Sequence, residues 1–404
     1  MSQKYPGGLI TKSPPATVGP VDGEGGSAPG VWTLDQAMAL NKQGLWPKPL
    51  LPRELYSWGL NNNGQLGLND VANRSSPVQV GAPTTWSNIA LGELFSLAFK
   101  TDGTLWSWGD GGSGQLGLND TADRSSPVQI GALTTWAQVA AGSNHGVAIK
   151  TDGTMWSWGL NTSGQLGLGN DINCSSPVQI GTLTTWSQIA AGTSHSLAIK
   201  TDGTMWGWGV NSSGQLGLDN QITSSSPVQI GALTTWSKVA GGDVHSLALK
   251  ADGTMWSWGA GSSGRLGLNN TINRSSPVQI GALTTWSKIA AGSANSLAIK
   301  TDGTMWSWGD GGNGRLGLNN IASRSSPVQI GALTTWSQIA AGYNFGLAIK
   351  TDGTLWSWGS GSSGRLGLND VANRSSPVQV GALTTWSQLP KMPSANHSLA
   401  ITKG

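Results

Sequence analysis

Cysteine is nearly absent. The chain has 404 residues and a single cysteine, Cys174, which excludes an internal disulfide and any dependence of the fold on an oxidising compartment. Charge is scarce as well. Asp, Glu, Lys and Arg make up 11% of residues and the net charge is only +3, too small a surplus for a basic stripe, so nucleic acid is not expected as a partner. No apolar run reaches the length of a membrane-spanning helix and none has the build of a signal peptide, so membrane insertion is not expected either. Chemistry-bearing motifs are missing too: there is no nucleophile elbow, P-loop, dinucleotide fingerprint or zinc cluster. Gly109–Gly114 reads GDGGSG but lacks the following Lys-Ser/Thr and helix of a phosphate loop. These absences point away from an enzyme and from any cofactor or metal.

What the chain has in excess is glycine (60 residues) and tryptophan (22 residues), and both recur with a period. The stretch TDGTMWSWG at 151–159 returns with small changes at 101, 201, 251, 301 and 351, and a shortened copy, ELYSWG, stands at 54–59. Trp58, Trp108, Trp158, Trp208, Trp258, Trp308 and Trp358 are 50 residues apart, a period that signals a repeat architecture. Within each unit the SLAIK and WSWG segments flank Thr-Asp-Gly. Asp-Gly between two strand patterns is a hairpin signal, because Asp bonds its local backbone and Gly accepts positive φ. Adding PVQI and WSQIA gives four short strands per unit. No segment inside the repeat has a 3.6-residue apolar period, so the expected fold is all-β: a seven-bladed β-propeller of four-stranded antiparallel blades over residues 54–404.

Closure is legible at the two ends of the repeat array. The array starts with Leu55-Tyr56-Ser57-Trp58, without a SLAIK before it. It finishes with Ser398-Leu399-Ala400-Ile401, without a WSWG after it. Pairing these orphan strands closes the ring. The last unit carries LPKMPSANHS, two residues longer than its counterparts, which predicts an altered loop beside the seam. Residues 1–53 differ: Pro, Gly, Ser and Thr dominate the first thirty, and they read as an extended arm. Thr33 and Gln36 form a capping-box pattern before one short helix at about 34–43, expected to dock through Trp32, Leu34, Met38 and Trp46.

WSWG, G[QR]LG and AGxxHSLAI at this spacing resemble the regulator of chromosome condensation repeat, over residues 54–403. The resemblance implies a seven-bladed propeller used as a binding platform. One eukaryotic member exchanges nucleotide on the small GTPase Ran, and a similar bacterial propeller inhibits a β-lactamase. The exchange factor inserts an added wedge from one blade; the strict 50-residue spacing here leaves none, so exchange activity is not expected. The segment GGLITKSPPATVGP, followed by APGVWTLDQAMALNKQGLWP, resembles leader segments of virion structural proteins in marine tailed phages. That resemblance implies an arm anchored to other virion proteins.

The repeats vary at three places: after WSWG, before SSP, and in the triplet preceding SLAIK. An up-and-down blade puts all three on one face and the nearly constant Thr-Asp-Gly and GALTT turns on the other. Loops on a rigid scaffold carry function, so the variable face is the expected partner site. Its candidate residues are Arg74, Arg124, Arg265, Arg274, Arg315, Arg324, Arg365, Arg374, Tyr343 and Asn344. The arginines gather in the last three copies, a basic sector suited to an anionic glycan, a lipopolysaccharide or an acidic protein patch. His145, His195, His245 and His397 share one column, which Phe95 and Phe345 also occupy; this fits a structural role bonding a neighbouring backbone. Twenty of the tryptophans fall in three strand columns, as expected for packing between blades.

The functional expectation is a non-enzymatic phage virion protein, anchored by residues 1–53 and located in the particle, with the propeller face meeting a host glycan or protein. The alternative is a cellular, cytoplasmic propeller scaffold or inhibitor that binds a protein partner, without nucleotide-exchange activity.

Overall fold

Each Thr-Asp-Gly segment builds its hairpin through the aspartate. Asp152 Oδ1 accepts from Thr154 N at 2.9 Å and from Thr154 Oγ1 at 2.7 Å, and Trp156 Nε1 donates on to Thr154 Oγ1 at 2.9 Å. Gly153 has φ of +79°, and a Cβ there would stand 2.1 Å from Thr184 O of the next blade. The turn is therefore locked to its neighbour as well as to itself. The GALTT segments share this lock, since Trp186 N donates to Gly153 O at 3.3 Å. This accounts for why turns on this face have not drifted.

The computed structural model describes residues 53–82 and 84–404, the backbone of 4–5 and 8–9, and Met38. Two units separate, residues 1–52 with Gly404, and residues 53–403. In the first, Lys4–Tyr5 pairs antiparallel with Gly8–Leu9. Of the helix expected at 34–43 only Met38 is described; it is helical and exposed. Trp32, Leu34 and Trp46 lie outside the described residues.

The second unit contains seven four-stranded antiparallel sheets. Blade two is typical, with an inner strand Trp136–Ala141, then His145–Lys150, Met155–Gly159, and an outer strand Cys174–Gln179. Blade one precedes it with inner strand Trp86–Leu91, and the inner strands of blades three to six are Trp186–Ala191, Trp236–Gly241, Trp286–Ala291 and Trp336–Ala341. The outer strand begins three residues earlier than the PVQI pattern indicates. Proline inside it is tolerated because this edge donates to no further strand. Blade seven joins the two ends of the array: Trp386–Gln388 and His397–Thr402 pair with Leu55–Gly59 and Arg74–Gln79.

Tryptophan welds the blades. On the third strand of each blade two aromatic side chains face the preceding blade, both tryptophan in blades one to six and Tyr56 with Trp58 in blade seven. Trp158 is fully buried, and its Nε1 donates to Gln115 O of blade one at 2.9 Å. The same bond recurs from Trp58, Trp108, Trp208, Trp258, Trp308 and Trp358, at 2.8–3.0 Å. Gly117 explains the last glycine of the G[QR]LG motif: its φ is +69°, and a Cβ would come 3.0 Å from Trp158 Nε1. The other strand tryptophan, Trp156, is half-buried. It meets Trp136 edge-on at 6.2 Å and carries Lys150 Nζ 3.6 Å from its ring centre, a cation–π contact. Trp158→Ala is expected to cost about 3–5 kcal/mol, the range for deleting a buried large aromatic; urea unfolding of the purified variant measures it.

Candidate binding face

The three variable segments do share one face. Their backbones form a nearly continuous rim around the channel mouth: Glu93 N bonds Ser143 O, Ser143 N bonds Thr193 O, Thr193 N bonds Gly242 O, and Asn396 N bonds Glu93 O. The rim is rigid, and the side chains above it differ from blade to blade.

The arginines fall into three groups that their sequence positions do not distinguish. Arg265, Arg315 and Arg365 are only 7–9% exposed, so they do not belong to an open basic sector. Each braces the turn that precedes it. Arg265 Nε donates to Ser262 O at 3.1 Å, Arg315 Nε to Gly312 O at 3.0 Å and Arg365 Nε to Ser362 O at 2.9 Å. Burial pushes all three guanidinium groups below their ordinary value. Where the motif holds glutamine the polarity of the brace reverses. Gln165 Oε1 accepts from Ser163 N at 2.9 Å and Gln115 Oε1 from Ser113 N at 2.7 Å. Ser263, Asn313 and Ser363 take φ near +57° in the arginine blades only. The backbone turns over to offer a carbonyl to arginine and an amide to glutamine. Arg265→Gln is therefore expected to relax Ser263 to negative φ and to change stability by no more than about 1 kcal/mol, since an αL non-glycine residue costs about that much; a crystal structure and a melting curve of the variant check both parts.

The second group is neutralised. Arg74, Arg124 and Arg374 each pair with the aspartate four residues earlier: Arg124 Nη2 to Asp120 and Arg374 Nη2 to Asp370 at 2.5 Å, and Arg74 to Asp70. The third group is Arg274 and Arg324, in adjacent blades four and five. There the aspartate is replaced by Asn270 and Asn320, and among the described residues no carboxylate pairs with either arginine. The basic sector thus narrows to these two side chains, both half-buried. Beside them, in blade six, Tyr343 is 44% exposed and Asn344 is half-buried. Sequence reading missed the narrowing because it counted arginines and not the residue one turn before each.

The histidine column is buried, and its bonds run between blades. His145 Nε2 lies 3.0 Å from Ser196 Oγ, His195 from Ser246 at 3.1 Å, His245 from Ser296 at 2.9 Å and His397 from Ser96 at 2.8 Å. Each serine hydroxyl donates to a backbone carbonyl, as Ser196 does to Gln165 O at 3.0 Å. The serine must then accept from Nε2–H, which assigns the neutral tautomer. Burial holds the imidazoles far below their ordinary range, to about 4 for His145 and about 3 for His195 and His397. Where the next blade has Gly146 or Gly346 in place of serine, the column holds Phe95 or Asn295. The partner is thus a neighbouring side chain and not the backbone that the sequence led us to expect. Among the described residues no group of His, Cys, Asp or Glu is placed to hold a metal.

A closed ring with a constant face and a variable face defines a class of scaffold proteins, and the comparisons place the chain within it. Residues 175–404 match the model of the RCC1-like domain. Residues 54–99 and 102–149 match the regulator of chromosome condensation (RCC1) repeat, and a second model of that repeat matches 86–115 and 136–165. The chain belongs to the RCC1-like family. It is similar in structure to yeast RCC1 (Prp20) bound to Kap60, with a TM-score of 0.78 and 21% identity over 88% of this chain and 89% of that one. It is similar to human WBSCR16 as well, with a TM-score of 0.78 and 22% identity over 87% and 99%. A second structure of Prp20p, from Saccharomyces cerevisiae, gives a TM-score of 0.77 and 21% identity over 88% and 92%; its description speaks of binding properties to Gsp1p and histones. Likeness at these identities shows the fold alone. No curated protein matches the sequence.

Proposed function

We propose that this chain is a non-enzymatic protein-binding propeller whose partner docks on the loop face of blades four to six. The observation that carries the reading is the contrast between two sets of turns on one rigid ring. Those on the turn face are locked to each other and constant, whereas those on the loop face vary above a hydrogen-bonded rim. The unpaired Arg274 and Arg324 beside exposed Tyr343 give that sector a charge and an aromatic anchor of the kind that interfaces favour. The yeast relative's described binding to Gsp1p and histones is support by analogy of fold. Nucleotide exchange is not part of the proposal, because the repeats carry no inserted wedge.

The test uses the full chain as bait in a lysate of its source. The triple variant Asn270→Asp/Asn320→Asp/Tyr343→Ala is compared with a turn-face variant, Leu133→Ser/Leu183→Ser. A protein retained by the turn-face variant and lost by the loop-face variant supports the reading. Equal retention by both sinks it.

The composition of residues 1–53 and their resemblance to phage leader segments favour a second, more specific form, in which the arm fixes the propeller to a virion and the loop face meets a host surface. Particles assembled with a chain lacking residues 1–53 test this form. It predicts their loss of the propeller; normal incorporation rejects it, and a cytoplasmic scaffold or inhibitor is then the form that stands.

A further inference from the structure

Grooves repeat along the outer wall of the ring, each between the outer strand of one blade and the flank of the next. The floor is the tryptophan pair of the following blade, and Leu133, Leu183 or Leu233 stands at one side. Between blades one and two the groove holds about 340 Å³, and between blades two and three about 390 Å³. Between blades three and four it holds about 640 Å³, within the range of small-molecule sites. Trp236 and Trp256 form its floor, and Ile222, Val228, Leu233 and Pro277 supply apolar walls.

The larger groove has a local cause. In blade one Arg124 lies back over the loop before its strand, where Nη1 donates to Ala122 O at 3.0 Å and Nη2 meets Asp120. In blade three the same column holds Ser224, whose Oγ donates to Ser226 O at 2.8 Å. This short side chain turns along its own strand, and Asn220, Ile222 and Thr223 of the loop join the groove. The loop is held in place: Asn211 Nδ2 donates to Asn220 O and to Ile222 O, each at 3.1 Å. The groove is therefore preformed, with Ile222 71% and Leu233 46% exposed. Its one charged side chain is Asp219, which stands where five other copies have Asn69, Asn119, Asn269, Asn319 and Asn369. Asp219 N donates to Ser275 O of blade four at 2.8 Å, which seats the residue against the far wall. Among the described residues no cation pairs with its carboxylate. Arg274, two residues before Ser276 of the groove, neither lines it nor pairs with Asp219.

We propose that this groove binds a small amphipathic amine, its apolar body laid against Ile222, Leu233 and the two tryptophans and its ammonium group against Asp219. An apolar cleft that carries one sign of charge favours a ligand of the opposite sign, and an ammonium–carboxylate hydrogen bond fixes the ligand's direction. The site uses none of the side chains assigned to the partner on the loop face.

Calorimetric titration of the full chain with phenylbutylamine, and separately with the neutral phenylbutanol and the anionic phenylbutyrate, tests the proposal at neutral pH. One-site saturable binding of the amine is expected, about fivefold tighter than the alcohol, the upper end for one exposed ion pair, with the acid weakest. Asp219→Asn installs the residue that five sister copies hold in the same left-handed backbone position. It should bring the amine down to the affinity of the alcohol and leave the alcohol unchanged. Ser224→Arg restores the arginine of five sister blades, covers the loop end of the groove and should weaken the amine about tenfold, the scale of burying two fewer methylene groups. Both residues already serve at these positions elsewhere in the ring, so both variants should fold, which a melting curve checks. No saturable heat with the amine, an amine no tighter than the alcohol, or an amine affinity unaltered in both variants overturns the proposal.

Discussion

Between pH 7 and pH 5 this protein is expected to lose several kcal/mol of stability. His145, His195, His245 and His397 are neutral in the fold, with values driven well below the ordinary 6.5 by burial. In the unfolded chain they charge as pH falls through about 6.5. Their contribution is therefore complete above that value and is lost as pH falls towards 3–4, where the folded imidazoles would themselves take up protons. Each contributes a slope of about 1.4 kcal/mol per pH unit. At pH 5, His145, His195 and His397 together cost on the order of 6 kcal/mol, and His245 adds a loss in the same direction. The aspartates of the hairpin turns, lowered in the fold where Asp152, Asp202, Asp252 and Asp302 accept from threonine, add a further loss only below about 4. Urea unfolding at half-unit pH steps gives the slope. A stability independent of pH between 6.5 and 5 contradicts the assignment. His145→Phe/His195→Phe should flatten the curve by about half, since phenylalanine already fills this pocket in two blades.

Removing residues 397–404 is expected to abolish cooperative folding of the ring. The strand His397–Thr402 pairs with Leu55–Gly59 on one side and Trp386–Gln388 on the other. Leu399 and Ile401 on it are fully buried. Those two side chains alone contribute about 3–6 kcal/mol. Their loss also exposes the partner edge of Leu55–Gly59, opens the channel and removes the His397–Ser96 contact to blade one. Circular dichroism on heating should replace one sharp transition with a broad one at lower temperature, and size-exclusion chromatography should detect association through the freed edge. A synthetic peptide of residues 394–404 added in trans should restore the transition. A truncated chain that melts as sharply and as high as the parent would rule out closure as the source of cooperativity.

The sequence and structure agree where the determinants are local. The Thr-Asp-Gly hairpin, the alternation of Trp156 and Trp158, and the orphan strands that complete blade seven are set by residues a few positions apart or by a strict period. A reading of one chain recovers them, because turn chemistry and strand pleat act over that range. The candidate face was legible to the same extent: the loops were placed on one side by strand order alone. The charge on that face was not. Arg265 and Arg274 differ by nine positions and look alike in sequence, yet one is sealed against a turn and the other is unpaired. Burial depends on what the next blade brings against each side chain, and that neighbour lies about one repeat away.

The sequence by itself determined the period, the four strands of each blade, the seven-fold count and the way the ring closes, since these follow from local propensity and from counting strands. Only the tertiary structure decided which serine each histidine meets, which carbonyl each tryptophan caps, and that Lys391 Nζ reaches the Ile189 carbonyl of blade three. These contacts join residues 43 to 307 positions apart, and their energies arise from desolvation and packing, which exist only once the blades are side by side.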